Sequence, residues 1–192
     1  MHQILTSCRE AAIATILLIP TYSILHNRVF QNRDRSLLYF LFSIYLATMY
    51  AAVGLPDITY YRFFPHFNFQ PFLYMFSAWE TTVLNVLLFI PLGFFMPMLW
   101  SRYRSFFRTV LLGFSVTMGI ELLQIFTYRA TDVNDLITNT AGTVLGFLIA
   151  RLLLALFPQI KPQDNHRDIK LVFGTAFAVM FFLYPFLAKI LL

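Results

Sequence analysis

Six runs of about 20 mostly apolar residues, each long enough to cross a bilayer as a helix, decide what this chain can fold into. They extend approximately from Arg9 to Asn27, Ser36 to Leu55, Glu80 to Trp100, Phe106 to Thr127, Asp132 to Phe157 and Ile169 to Leu192. The chain is 59% hydrophobic and 12% charged, against about 25% charged residues in a typical soluble domain. A soluble core of this size cannot bury such a surplus, because small domains expose too much surface. The expected fold is all-α, a polytopic membrane helical bundle forming a single domain over residues 1–192. The first run lacks a convincing small-residue cleavage site and reads as a retained span.

Basic residues punctuate alternate connections. Arg28, Arg33 and Arg35 follow the first span, Arg102, Arg104 and Arg108 the third, and Lys161, Arg167 and Lys170 the fifth. The intervening connections hold Arg62 and Arg129. Positive charge is retained on the cytoplasmic side, so both termini are expected outside. The net charge of +5 therefore reads as an orientation and anionic-lipid signal, with no nucleic-acid partner implied. The single cysteine, Cys8, excludes an intramolecular disulfide and any multi-cysteine metal site.

The connection from Pro56 to Ala78 is rich in Phe and Tyr and interrupted by Pro56, Pro65 and Pro71. It is too apolar for a solvated loop and too proline-broken for a regular helix. It reads as an aromatic segment that lies in the outer interface or dips into the bilayer and returns; an ordinary aromatic belt anchoring the third span is the plainer alternative.

Ionisable groups inside a membrane cost about 2.5–3.5 kcal/mol each on insertion scales, so their placement carries information. In the fourth span Thr117, Glu121, Gln124 and Tyr128 fall on one helical face. In the fifth, Asp135, Asn139, Gly142 and Gly146 repeat that spacing, with Asp132 placed to cap the helix. Gly142 and Gly146 form a GxxxG step suited to close helix packing. The third span adds Glu80 and Asn85, and its Pro91 is expected to bend the helix. Under the expected topology these polar residues, with Arg129, share one depth in the outer half of the bilayer.

Quieter readings stay open. Glu121 can pair with Arg129 to fix a turn, and Asn85, Gln124 and Asn139 can serve as interhelical hydrogen-bond glue. The carboxylates could also hold a divalent cation, but there is no compact metal motif and Arg129 lies among them, so no metal or cofactor is assigned. The four histidines do not cluster, and His66 alone falls in the aromatic connection. Standard hydrolase, phosphate-loop and dinucleotide motifs are absent from the sequence.

The pattern Asn85-x5-Pro91-Leu-Gly93, then Glu121-Leu-Leu-Gln124, then Arg129-x2-Asp132-x2-Asp135-x3-Asn139-Thr-x-Gly142-x3-Gly146 resembles the signature of the VanZ-like family. Asn68-Phe69-Gln70-Pro71-Phe72 resembles the Asn-apolar-apolar-Pro-Phe element that precedes it there, with Gln70 where an apolar residue is commoner. The match covers roughly Ser36 to Phe157. The resemblance implies a bacterial cytoplasmic-membrane protein of the cell envelope, in a family named for a member linked to low-level teicoplanin resistance. It supplies no general mechanism.

Three functions are compatible with these residues. In the first, Asn85, Gln124, Arg129, Asp132 and Asn139 bind the head group of a membrane lipid or lipid-linked cell-wall intermediate, with the aromatic segment over its acyl chain. In the second, an intramembrane enzyme uses Glu121 or Asp135 as general acid or base. In the third, the chain is a non-catalytic scaffold for other membrane proteins.

Overall fold

The computed structural model describes residues 2–59, 61–72, 78–127, 130–162 and 165–191. Its helices are α1 (His2–Leu25), α2 (Arg33–Ala52), α3 (Trp79–Leu99), α4 (Phe106–Gln124), α5 (Val133–Leu156), α6 (His166–Ala178) and α7 (Tyr184–Leu191). A π-helical turn extends α1 to Phe30, and another joins α6 to α7. Among the described residues six continuous helical runs are long and apolar enough to cross a membrane: Thr6–Phe30, Arg33–Ala52, Trp79–Leu99, Phe106–Gln124, Val133–Leu156 and Arg167–Ile190. These follow the six apolar runs of the sequence.

The chain divides into two compact units, residues 1–62 with 165–192 and residues 63–164. In the first unit, α1 stops where Gln31 adopts a left-handed backbone, φ 52°. Asn32 then caps α2 by accepting a hydrogen bond from the Arg35 amide at 3.0 Å, which satisfies one of the free N–H groups of that helix start. The helices of this unit meet through tyrosine. The buried Tyr22 hydroxyl donates to the Tyr39 carbonyl at 3.0 Å and lies 2.6 Å from Ser43 Oγ. Tyr39 Oη donates to Asp168 Oδ2 at 3.2 Å. Arg35 forms an ion pair with the same carboxylate at 3.7 Å, and Asp168 itself is fully buried.

The second unit holds α3, α4 and α5. Its tightest packing is between α3 and α5, which run parallel: Gly142 lies against the Val86 carbonyl and Gly146 against the Ile90 carbonyl, one turn further on both helices. A Cβ at either glycine would collide with backbone, so only glycine permits this approach. Helix α3 continues through Pro91 and Pro97 without interruption. On the other flank of α5, Asn139 Nδ2 donates to Thr117 Oγ1 of α4 at 2.8 Å.

The described part of the aromatic connection contains no helix. Phe67–Asn68 forms a short strand, β1, paired in parallel with β2, Thr131–Asp132. Residues 73–77 and Tyr60 lie outside the described residues.

Candidate functional site

The C-terminal end of α4 and the N-terminal ends of α3 and α5 meet at one end of the second unit, and most of the predicted polar residues gather there. Asp132 is the N-cap of α5: its Oδ1 accepts from the Asn134 amide at 2.8 Å. A carboxylate there is favoured both by the free N–H groups and by the helix dipole. Its second oxygen accepts from Asn68 Nδ2 at 3.0 Å.

Glu121, one turn before the end of α4, is 1% exposed. Its Oε2 accepts from the Asp132 amide at 2.8 Å, and its backbone carbonyl accepts from Thr131 Oγ1 at 3.0 Å. The carboxylate therefore holds the chain in place where it enters α5. Asn85 of α3 reaches across to α5, where its Nδ2 donates to Asp135 Oδ1 at 2.7 Å. Gln124 and Asn139 are buried, and Asn139 Oδ1 has no hydrogen-bond partner among the described residues.

The expected face of α4 ends at Gln124, because residues 125–127 form a turn. Tyr128 and Arg129, expected to continue the cluster, lie outside the described residues. Glu80 occupies the exposed first turn of α3. Gly142 and Gly146 lie deeper along α5, at the contact with α3. Among the described residues no group of three or more His, Cys, Asp or Glu is placed to hold a metal ion.

Access divides the cluster. Asn85, Asp132 and Asp135 are half-buried, whereas Glu121, Gln124 and Asn139 are buried. A molecule arriving from this end meets the first three; the others support them from behind.

Two contributors are not among the site residues expected from the sequence, although Asn68 opens the element that resembles the family's. Asn68 clamps β1 to Asp132, and Asn134 clamps the following turn. The Phe72 amide donates to Asn134 Oδ1 at 2.7 Å, and Asn134 Nδ2 donates to the Gln70 carbonyl at 3.4 Å. Phe72 follows Pro71 and has φ 65°, a left-handed conformation that costs a non-glycine residue about 1–2 kcal/mol. Further back, the Phe64 amide donates to the Ile125 carbonyl at 2.8 Å and the Thr131 amide to the His66 carbonyl at 2.8 Å. The aromatic strap is thus fastened to the ends of α4 and α5 at several points. Its side chains face outward: Phe67 and Phe69 stack with centroids 5.5 Å apart, and Phe69 and Phe72 are 73% and 64% exposed. The signal for these clamps lay in the sequence, as Asn68 shortly before Pro71 and Asn134 in the first turn of α5, but their pairing spans more than 60 residues.

No curated protein and no solved structure is significantly similar to the chain. Residues 12–154, well over half of its length, match the protein family described as VanZ/LLP1. That stretch includes the whole polar layer, the strap and its clamps. With six helices of spanning length beside this match, the chain belongs to the VanZ/LLP1 family, as a multi-pass membrane protein.

Proposed function

We propose that this protein binds the head group of a lipid or lipid-linked cell-wall intermediate in the outer leaflet of the bacterial cytoplasmic membrane. The observation that carries this reading is the half-buried triad Asn85, Asp132 and Asp135 beside a strap of exposed phenylalanines. A ligand there finds polar partners and an apolar rim together, the combination a lipid head group with its first methylenes requires. The described polar groups are mainly acceptors. They suit the donor-bearing part of a head group, sugar hydroxyls or an ammonium, with Arg129 supplying the contact to phosphate or carboxylate. The strap lies in the outer interface, the three basic connections are cytoplasmic and both termini are outside. A contribution to resistance against lipid-bearing glycopeptides follows if the bound molecule is a cell-wall precursor.

Native mass spectrometry tests this with protein purified in detergent and offered a polyprenyl-diphosphate-linked sugar or phosphatidylcholine. Preferential retention of the former, weakened about tenfold in Asp135→Asn and Arg129→Ala, supports the reading; a single charge-assisted contact is of that order. Variants that insert normally yet keep full retention, and leave glycopeptide susceptibility of expressing cells unchanged, would sink it. Topology is tested by C-terminal fusion to alkaline phosphatase, which is active only outside the cytoplasm.

A second reading, an intramembrane enzyme, is favoured by the accessibility of Asp135, with Asn85 2.7 Å away to orient its carboxylate. Asp135 is then the general acid or base and Glu121 its distant support, since a 1% exposed side chain engaged by the Asp132 amide cannot reach a substrate. This reading demands a new product from envelope lipids, lost in Asp135→Asn. If Asp135→Asn and Glu121→Gln change only protein abundance, the cluster is a scaffold element.

A further inference from the structure

The far end of the second unit carries a different feature. A cavity of about 280 Å³ is lined by Pro97, Arg104, Phe147, Arg151, Leu154 and Ala155. It is small beside ligand pockets of about 300–1,000 Å³, a size for a head group and not for a whole lipid. Two arginines reach it, and no carboxylate answers either one among the described residues. The described acidic residues of this unit, Glu80, Glu121, Asp132 and Asp135, all lie at the polar layer, at the opposite ends of the same helices.

Arg104 is held in place by one bond, from Nη2 to the Ile160 carbonyl at 2.9 Å. Its Nε is buried and has no hydrogen-bond partner among the described residues. That N–H is closed to the cavity; what Arg104 brings to an anion there is the positive charge of a guanidinium anchored at Nη2 and only partly exposed, beside the charge of Arg151. Arg151 is exposed and stands on α5 within an otherwise apolar stretch, an expensive position in a membrane-spanning helix unless the charge has a partner. Leu148, Leu152 and Leu156 of the same helix are exposed at successive turns.

We propose that this cavity is a binding site for the phosphate of an anionic phospholipid, with Arg104 and Arg151 clasping the phosphate and the acyl chains lying along the exposed leucines of α5. The apolar walls and the adjoining leucine stripe favour a lipid over a free anion. Basic pockets between spanning helices at the cytoplasmic face are where anionic head groups are expected to be held.

Native mass spectrometry of the purified full chain, offered phosphatidylglycerol or phosphatidylcholine, tests the assignment. Retention of phosphatidylglycerol over phosphatidylcholine is expected, reduced about tenfold in R104Q/R151Q, since each arginine near an anionic lipid contributes a several-fold preference. Ala155→Trp fills the exposed mouth of the cavity, keeps both arginines and should cause a comparable loss; circular dichroism and size exclusion confirm that each variant is folded. An unchanged preference in either folded variant overturns the proposal. Displacement of phosphatidylglycerol by millimolar sodium phosphate alone overturns the lipid assignment in favour of a soluble anion.

Discussion

In the second unit the closest contact is backbone against backbone, Gly142 and Gly146 of α5 on the Val86 and Ile90 carbonyls of α3, with side-chain amides and carboxylates closing one end. In the first unit the helices meet through rings and hydroxyls, Tyr22 on Tyr39 and Ser43, around the buried carboxylate of Asp168. The two arrangements answer the same problem differently. Apolar side chains gain little by leaving lipid for each other, so helices in a bilayer need shape fit or hydrogen bonds to associate. A glycine contact gives fit and tolerates no addition. A tyrosine contact gives hydrogen bonds and tolerates small losses.

This contrast can be broken most severely at Gly146. Gly146→Val places side-chain atoms on the Ile90 carbonyl, where backbone must move, and should cost about 3 kcal/mol or more. The expected outcome is a large drop in monodisperse protein on size exclusion. Should the variant stay fully folded, the backbone contact is not what holds α3 to α5.

Asp168→Ala probes the first unit at its most vulnerable point. It removes the carboxylate that pairs with the Arg35 guanidinium, 28% exposed, and accepts from Tyr39, so a loss of about 2 kcal/mol is expected in thermal unfolding of the detergent-purified protein. Asp168→Asn, which keeps an acceptor, should recover part of it.

Tyr22→Phe removes one hydroxyl and should lower stability by about 1 kcal/mol, visible as a modest fall in Tm. A fall as large as that of Gly146→Val would erase the distinction between the two modes of packing.

The smallest effect is expected at the strap, and with the opposite sign. Phe72→Gly relieves the left-handed strain and should raise stability by up to about 1 kcal/mol. If it also weakens retention of lipid-linked sugar, the phenylalanine ring is kept for contact and not for folding. A destabilised Phe72→Gly would mean that the ring packs as part of the fold.

Much of the site could be read from spacing alone. Glu121 and Asn139 are buried in the structure because i, i+4 and i+7 steps put them on one face with Thr117 and Gly142, and that periodicity is visible without coordinates. Asp132 announces a helix start by its type and place. The strap was legible as aromatic and proline-broken, but its attachment was not. A two-residue parallel strand leaves no periodic trace, and Asn68 finds Asp132 across 64 residues. Asp168 was hidden differently: it lies between Arg167 and Lys170, where charge reads as a solvated connection, yet Tyr39 binds it 129 residues away. Arg151 was obscured by the leucines around it.

That separation of 129 residues between Tyr39 and Asp168 also sets an order of assembly during synthesis. The second unit is encoded inside the first, so Asn85 waits only 50 residues for Asp135, a few seconds at about 5–20 residues per second. Tyr39 must wait for nearly the whole nascent chain to leave the ribosome. The second unit can therefore mature while the first is still incomplete, and a stall before α6 would leave a half-built protein in which Tyr39 still lacks the Asp168 carboxylate, the kind of intermediate that membrane quality-control proteases remove.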